Sequence, residues 1–329
     1  MEDAFRRRRL GVRPALLAPR DRAWRAIAPA FAGCLALAEA GSPFQTAVER
    51  RYDRSADRHR LPRALAAGES VFFPQVHQVL PRLMRLMVAL RASFLGGGRE
   101  ECSFLFLAEG RGREAMGLHH DGETDAFWLQ LEGRRHLTIG PPVPRGTPED
   151  LDPRVIPARR SSERQPSGGW WSGTLAPGTL FYLPPRTPHR VVYHGRSLAL
   201  SLTWMRSGSR ARKNAAALLD WDVAPGRADP VPPASRDRLW AQAPALAGPL
   251  RPGARAFTLH VPGGALTLPA SAHALARRLA VMPWWQGVRV PPRGGTLALL
   301  AAHGLVAPRD LPLRIIPASP KALDGWRFA

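Results

Sequence analysis

Cysteine is scarce in this chain and lysine nearly absent, and no apolar run approaches the length of a membrane span. The two cysteines, Cys34 and Cys102, stand in no paired spacing. That excludes a disulfide framework and the CxxC patterns of structural zinc or redox work, and it points to a reducing, cytoplasmic compartment. The most apolar stretch, FAGCLALAEAG, is far short of the roughly 20 residues needed to cross a bilayer. The opening MEDAFRRRRL is basic but is followed by neither an apolar h-region nor a small-residue cleavage site, so a secretory signal is not expected. The chain reads as soluble and not bound to a membrane.

Acidic residues are also few. Asp and Glu number 26 against 47 Lys and Arg, for a net charge of +21. Such a field attracts polyanions and makes nucleic acid a partner to consider. A composition effect competes with that reading. Lys213 and Lys321 are the only lysines, leaving 45 of the 47 basic residues as arginine; with 34 prolines and abundant alanine, this is the codon bias of a GC-rich genome. Apart from Arg6 to Arg9, the charge is scattered.

The chain's 329 residues, 45% of them hydrophobic, can supply one large core and a smaller one. Residues 24–40 and 79–95 carry apolar positions at helical spacing, with Leu80, Leu83, Leu86, Met87 and Leu90 along one face. From Ser103 onward, SFLFLAEG, AMGLHHDG, DAFWLQLEG, RRHLTIG, GTLFYLPP, HRVVYHG and SLALSLTW are short β-prone runs between Gly, Pro, Asp or Arg turns, a pattern of sandwiches and barrels. Helices are therefore expected to precede strands. A Pro/Arg/Ser/Gly-rich stretch over 141–173 interrupts the rhythm as a long loop, of a length that is usually functional or disordered.

A short helix over 211–221 and a proline-rich linker over 223–235 close the first domain, 1–222. In the second, 236–329, Ser271 can cap a helix running to Leu279, TLALLAAHG can form another, and LVAP and LPLRIIP read as strands. The expected fold is mainly β with flanking helices, followed by a small α/β domain of winged-helix-like kind.

The chemistry concentrates in His119-His120-Asp121. On a strand, residues i and i+2 share a face, so His119 and Asp121 point one way and His120 the other. His189, in the turn of GTLFYLPPRTPHRVV, can be brought beside them by an antiparallel neighbour. Two imidazoles and one carboxylate on one face leave three positions of an octahedral iron open, enough for a bidentate co-substrate and dioxygen. The remaining histidines, His59, His77, His136, His194, His260, His273 and His303, are read as surface or core residues.

The segments MGLHHDGETDAFWLQLEGRRHLTIGPP and LAPGTLFYLPPRTPHRVVYHGRSLALSLTW resemble the JmjC-type bacterial ribosomal oxygenases. Those proteins carry an HxD motif, then D-x-F-x-x-Q-x-x-G-R-R and a Y-x-P-P-x-x-P-H turn. The resemblance spans residues 67 to 205 and extends loosely into the C-terminal region. It implies a double-stranded β-helix of cupin/JmjC type in which His119, Asp121 and His189 bind Fe(II). It also implies that Arg135 receives the far carboxylate of the co-substrate 2-oxoglutarate. An arginine fork suits that task, because a diacid chelated at one end needs a cation at the other.

Two departures from the family stand out. Asp125 follows Asp121 at a spacing one residue longer than usual, which leaves His120 as an alternative ligand. Ala199 occupies a place where relatives carry a polar residue near the co-substrate, and Ser201 is the substitute. Asp125, Phe127 and Gln130 match the family pattern but are read as framework. Trp170 and Trp171 either cover the site or pack in the core.

The activity implied is that of a 2-oxoglutarate-dependent dioxygenase hydroxylating a protein side chain, with a ribosomal protein as the suspected substrate. Ribosomal proteins are themselves basic, so a partner at +21 would be repelled unless acidic patches or ribosomal RNA drew the two together. The same chemistry on a small molecule or peptide natural product is one alternative. A non-catalytic cupin binding nucleic acid or a protein partner is another.

Overall fold

The structure of the protein is a computed structural model. It describes residues 2–19, 23–39, 44–48, 51–55, 57–78, 80–95, 99–110, 116–157, 168–206, 239–242, 246–261, 264–274, 276, 288–289, 306–308 and 313–315. The expected linker, the helix over 211–221 and TLALLAAHG lie outside them.

The N-terminal part alternates helices and strands: α1 (Glu2–Arg8), β1 (Ala15–Pro19), α2 (Phe31–Glu39), β2 (Phe44–Val48), β3 (Arg51–Ser55), α3 (Arg60–Ala66), β4 (Ser70–Pro74) and α4 (Pro81–Leu90). This corrects the expectation that helices precede strands. Four strands of five residues each are too short to show a clear period of two, and they exist because β1, β2 and β4 each find an antiparallel partner in the sheet. The helical periodicity of α4 does hold, with Leu83, Met87 and Leu90 fully buried.

The β-rich half contains β5 (Arg99–Ala108), β6 (Thr124–Ile139), β7 (Trp171–Leu175), β8 (Leu180–Leu183) and β9 (His189–Arg206). Four of the expected runs are in fact two long bent strands, β6 and β9. Their pairing slips between Gln130 and Glu132 and again between Gly133 and Arg135. At this bend Gly133 has φ +65°, and a Cβ there would lie 1.8 Å from the Arg196 carbonyl oxygen, so only glycine lets the strands approach.

The bend folds one sheet into two facing layers, the double-stranded β-helix. Ala126, Trp128, Phe181 and Leu183 from one layer pack against Leu137, Ile139, Trp171 and Leu175 from the other. Alternate residues on the opposite face of the first layer, among them Leu105, Phe127, Leu129, Leu180, Tyr182, Leu200 and Leu202, join the larger core under the helices. Phe5 pins α1 there, its ring 4.4 Å from Phe94 and 5.0 Å from Tyr182 between centroids.

Beyond the barrel, β10 (Leu239–Gln242), β11 (Leu246–Ala247), β12 (Ala256–Val261), β13 (Gly264–Pro269), β14 (Val288–Arg289), β15 (Val306–Pro308) and β16 (Leu313–Ile315) are described. They form two three-stranded sheets, β14-β10-β15 and β11-β12-β13, while β16 adds to the barrel sheet beside β1. The Ser271 cap is not formed: Ser271 lies inside a 3-10 turn, Ala270–Ala272, whose N-cap is Pro269. No helix among the described residues is long and apolar enough to cross a membrane.

Buried His77 gives this core a pH dependence. Its Nδ1 lies 2.7 Å from the Ser103 hydroxyl, and burial first, then the nearby Arg91 charge, push its pKa down to about 3. The unfolded chain takes up this proton near pH 6.5 and the folded one does not until about pH 3, so stability falls as pH drops through that window. Urea unfolding at a series of pH values is expected to show a shallower acid-side fall for His77→Gln than for the wild type.

Candidate metal centre

His119 does not lie on a regular strand, as its period-two reading assumed. It forms isolated bridges with His189 on one side and Asp150 on the other. The bridge to His189 is reciprocal: His119 N donates to His189 O at 3.0 Å, and His189 N donates to His119 O at 2.7 Å. The turn at Gly122 then swings Asp121 beside the two rings. Asp121 Oδ1 is 3.6 Å from His119 Nε2, and Oδ2 is 3.9 Å from His189 Nε2. One donor atom from each of the three residues lies within 4.8 Å of the other two.

The rings are held in the tautomer a metal needs. His119 Nδ1 lies 3.2 Å from Gly117 O and His189 Nδ1 lies 2.9 Å from Thr187 O. Carbonyls only accept, so each Nδ1 carries the hydrogen and each Nε2 keeps its lone pair for the shared centre. Burial, then the neighbouring His119, hold the His189 pKa down to about 4, so its imidazole is neutral at physiological pH. Trp128 packs edge-on against that ring, 4.9 Å between centroids. His120 is spent elsewhere: its Nε2 meets Thr147 O at 3.2 Å, and its Nδ1 accepts from Gly122 N at 3.1 Å. It braces the turn and faces away from the centre.

The triad opens on a cavity of about 580 Å³ that Arg135 and Ser201 also line. Arg135 is 5% exposed, so its position needs support from within. Its Nε donates to Ser197 Oγ at 3.4 Å, and Ser197 Oγ also accepts from Gln130 Nε2 at 3.1 Å. The guanidinium carbon lies 5.0 Å from the Tyr193 ring centroid and 5.4 Å from that of Phe106. Burial pulls its pKa below the ordinary value, with Tyr193 acting the other way, yet a guanidinium stays charged in proteins. Its Nη2 is buried with no partner. A buried cationic nitrogen left unpaired is costly, and an anion in the cavity would relieve it.

The structure separates the other sequence candidates. Asp125 is fully buried and accepts from the Tyr182 hydroxyl at 2.5 Å, which in turn accepts from Gly11 N at 2.7 Å; this ties the N-terminal segment to β6 and β8. Phe127 is core. Trp170 packs over Gly140 and Trp171 stacks on Phe181, so both are framework. Tyr193, Ser197 and Phe106 were not foreseen. Their signal is the strand register, which sets Arg135 opposite Tyr193 and Phe106 opposite Ala199, and register is invisible until pairing is known. Gln75 was also missed: it lines the cavity at φ +55° with its Oε1 buried and unpartnered.

Residues 99–211 match the model of the JmjC domain family. The chain carries a JmjC domain. Among solved structures it is similar to the Escherichia coli ribosomal oxygenase YcfD, with 16% identity, a TM-score of 0.50, and 93% of this chain and 97% of that one covered. A second structure of YcfD, in complex with cobalt and 2-oxoglutarate, gives 16% identity, a TM-score of 0.48 and coverage of 94% and 98%. The non-heme alpha-ketoglutarate-dependent epimerase SnoN from nogalamycin biosynthesis is more distant, with 16% identity, a TM-score of 0.35 and coverage of 62% and 80%. No curated protein matches the chain in sequence. At this identity the likeness is one of fold. The centre lies within the JmjC domain, because His119, Asp121, Arg135, His189 and Ser201 all fall inside the matched span.

The same cavity separates the two cysteines. Cys102 lines it and is half-buried, whereas burial, with Glu132 adding to it, pushes the Cys34 thiol up to about 12. Cys34 therefore stays protonated, and protonated thiols are poor nucleophiles. Iodoacetamide at pH 8 is expected to label Cys102 in the folded protein and leave Cys34 unmodified, as read by peptide mass spectrometry.

Proposed function

We propose that this protein is an iron(II)- and 2-oxoglutarate-dependent dioxygenase that hydroxylates a protein side chain. The observation that carries this reading is one cavity holding both a His-Asp-His donor set and a buried arginine nitrogen without a partner. Two imidazoles and one carboxylate are the donor set of non-heme iron(II) oxygenases, and they leave three coordination positions for other ligands. A dicarboxylate chelating at those positions would extend its far end to Arg135. Donor chemistry and orphaned cation fit the same co-substrate.

Iron and 2-oxoglutarate, once bound, supply the oxidising chemistry: one oxygen atom of dioxygen enters a substrate C–H bond to give C–OH, and the other enters succinate as carbon dioxide leaves. The rest falls to the chain's own residues. His119 and His189 present Nε2, and Gly117 and Thr187 carbonyls keep them oriented. Arg135 binds the far carboxylate as a fork, braced by Ser197 and flanked by Tyr193 and Phe106. Ser201, opposite Trp128 on β6, adds a hydroxyl on the same wall. Trp128 and Val191 line the cavity as well and help keep water from it.

The JmjC match supports the oxygenase class, and the name of YcfD, a ribosomal oxygenase, supports a ribosomal protein as the substrate. Two cysteines in no paired spacing are too few for a disulfide framework, which supports a cytoplasmic setting, where ribosomes are found.

Succinate formation from 2-oxoglutarate by anaerobically iron-loaded protein, started by admitting oxygen, tests the chemistry. His119→Ala and His189→Ala are expected to abolish it together with iron binding. Arg135→Ala should keep the iron but raise the 2-oxoglutarate requirement by about tenfold or more, the scale of a lost charge-assisted hydrogen bond. His120→Ala should bind iron within about tenfold of wild type, because it acts only through the turn. Iron binding unaffected by His189→Ala would refute the assignment. For the substrate, mass spectra of ribosomal proteins from wild-type and deletion cells should differ by one added oxygen on a single protein. Identical spectra would redirect the search to small molecules or peptides.

A further inference from the structure

The proposed metal centre contains one donor whose direction no carbonyl secures. His119 and His189 are each fixed at Nδ1 by a main-chain oxygen, of Gly117 and of Thr187. Asp121 has no counterpart to these: among the described residues, its carboxylate meets only the two imidazoles, at 3.6 and 3.9 Å. Its place is therefore left to the main chain of the turn Asp121-Gly122-Glu123. Whatever holds that turn sets the third corner of the donor set.

Arg186 is placed to hold it. It lies in the turn that leads to His189 at φ +53°, one of two described residues other than glycine with a positive φ. A side chain is strained in that region, and such strain persists only where the surroundings impose it. Here main chain and side chain act on the same two segments. Arg186 N donates to Gly122 O at 2.7 Å, and Arg186 O accepts from Val143 N at 2.9 Å. The guanidinium then pairs through Nη1 with Glu123 Oε1 and donates from Nε to Val143 O at 3.1 Å. Arg145 Nε also lies 3.3 Å from Glu123 Oε1, but that side chain is 78% exposed against 28% for Arg186, so water screens it far more. One residue thus joins the turn after Asp121, the turn before His189 and the loop after β6. Glycine would meet the backbone requirement without strain, whereas the fork of an arginine reaches the carboxylate and the carbonyl together.

We propose that Arg186 is a positioning residue of the metal centre: by tying Glu123 and Val143 to the turn before His189, its side chain fixes where the Asp121 carboxylate stands relative to the two imidazoles. This rests on the metal-site reading above and goes beyond it by assigning a residue that touches neither metal nor co-substrate. Groups that orient metal ligands from outside are worth about tenfold to a hundredfold in metal affinity.

The test uses the full chain with cobalt(II) as the probe metal and reads three quantities: cobalt affinity by calorimetry, the visible ligand-field spectrum, and the urea midpoint of the metal-free protein. Arg186→Gly relieves the positive φ and leaves both main-chain links in place. It is expected to keep the urea midpoint, to bind cobalt about tenfold more weakly or worse, and to move the spectrum toward that of Asp121→Ala. Glu123→Ala should weaken binding in the same direction, and the double variant should lose less than the sum of the two single losses, because both remove one link. Arg186→Lys should restore part of the affinity. Cobalt affinity and spectrum unchanged in Arg186→Gly overturn the inference, and so do additive losses in the double variant. A weaker affinity accompanied by a lower urea midpoint and an unchanged spectrum makes the role one of general stability and overturns it as well. Should Arg186→Gly fail to fold, Arg186→Lys and Glu123→Gln carry the test, with weaker cobalt binding expected in both and wild-type affinity in both refuting the proposal. Failure of the metal-site reading is distinguishable: the wild type then binds no cobalt, or binds it equally well as His189→Ala, and this inference falls with it.

Discussion

The site depends on a pair of backbone hydrogen bonds, at 3.0 and 2.7 Å, exchanged between His119 and His189. These residues are far apart in sequence, and nothing in their side chains would bring them together. The exchange fixes the separation and relative direction of two Cβ atoms before any metal is present, leaving the rings 4.1 Å apart between centroids. His189 is itself held from its other side by Ile139 at the end of β6. A donor set organised by main-chain pairing costs little reorganisation when it is filled, which is the general route to a preorganised centre.

The alternation of faces along β6 and β9 divides the remaining labour. One face of the first layer, through Phe127, Leu200 and Leu202, belongs to the core beneath the helices. The other face gives Trp128, Ser201 and Thr203 to the cavity. On the second layer, Arg135, Tyr193, Val191 and His189 share the inward face, so the guanidinium and the His189 imidazole are the two ends of one row. The bend at Gly133 sets these two faces against each other, and a one-residue slip in either strand would turn the whole row to the opposite face.

Much of this was legible before any coordinates. The HxD pair, His189 after its proline-rich turn and Arg135 in the GRR run are local patterns, and the structure lays them around one cavity. The period-two runs marked the β-rich half correctly, although four of the runs belong to two bent strands. What stayed hidden was relational. Strands β1 to β4 are five residues each and are defined by their partners more than by their composition. Ser197, Tyr193 and Phe106 become site residues through cross-strand register and a bulge, neither of which a linear pattern encodes. The opposite holds for His120, whose spacing left it open as a ligand until its two hydrogen bonds placed it in the turn.

The loop after β6 acquires a different meaning from its hydrogen bonds. Asp150 is bridged to His119 by two hydrogen bonds between their neighbours: His120 N donates to Glu149 O, and Leu151 N donates to Leu118 O. The segment that carries His119 and Asp121 is thus a filament laced between β9 on one flank and a proline-rich surface excursion on the other. Surface excursions are where lineages diverge fastest in length and composition. Such a layout gives evolution a tuning screw: edits to an outlying, tolerant stretch of chain reach the innermost residues of the site through two main-chain hydrogen bonds, while the barrel that holds His189 remains untouched.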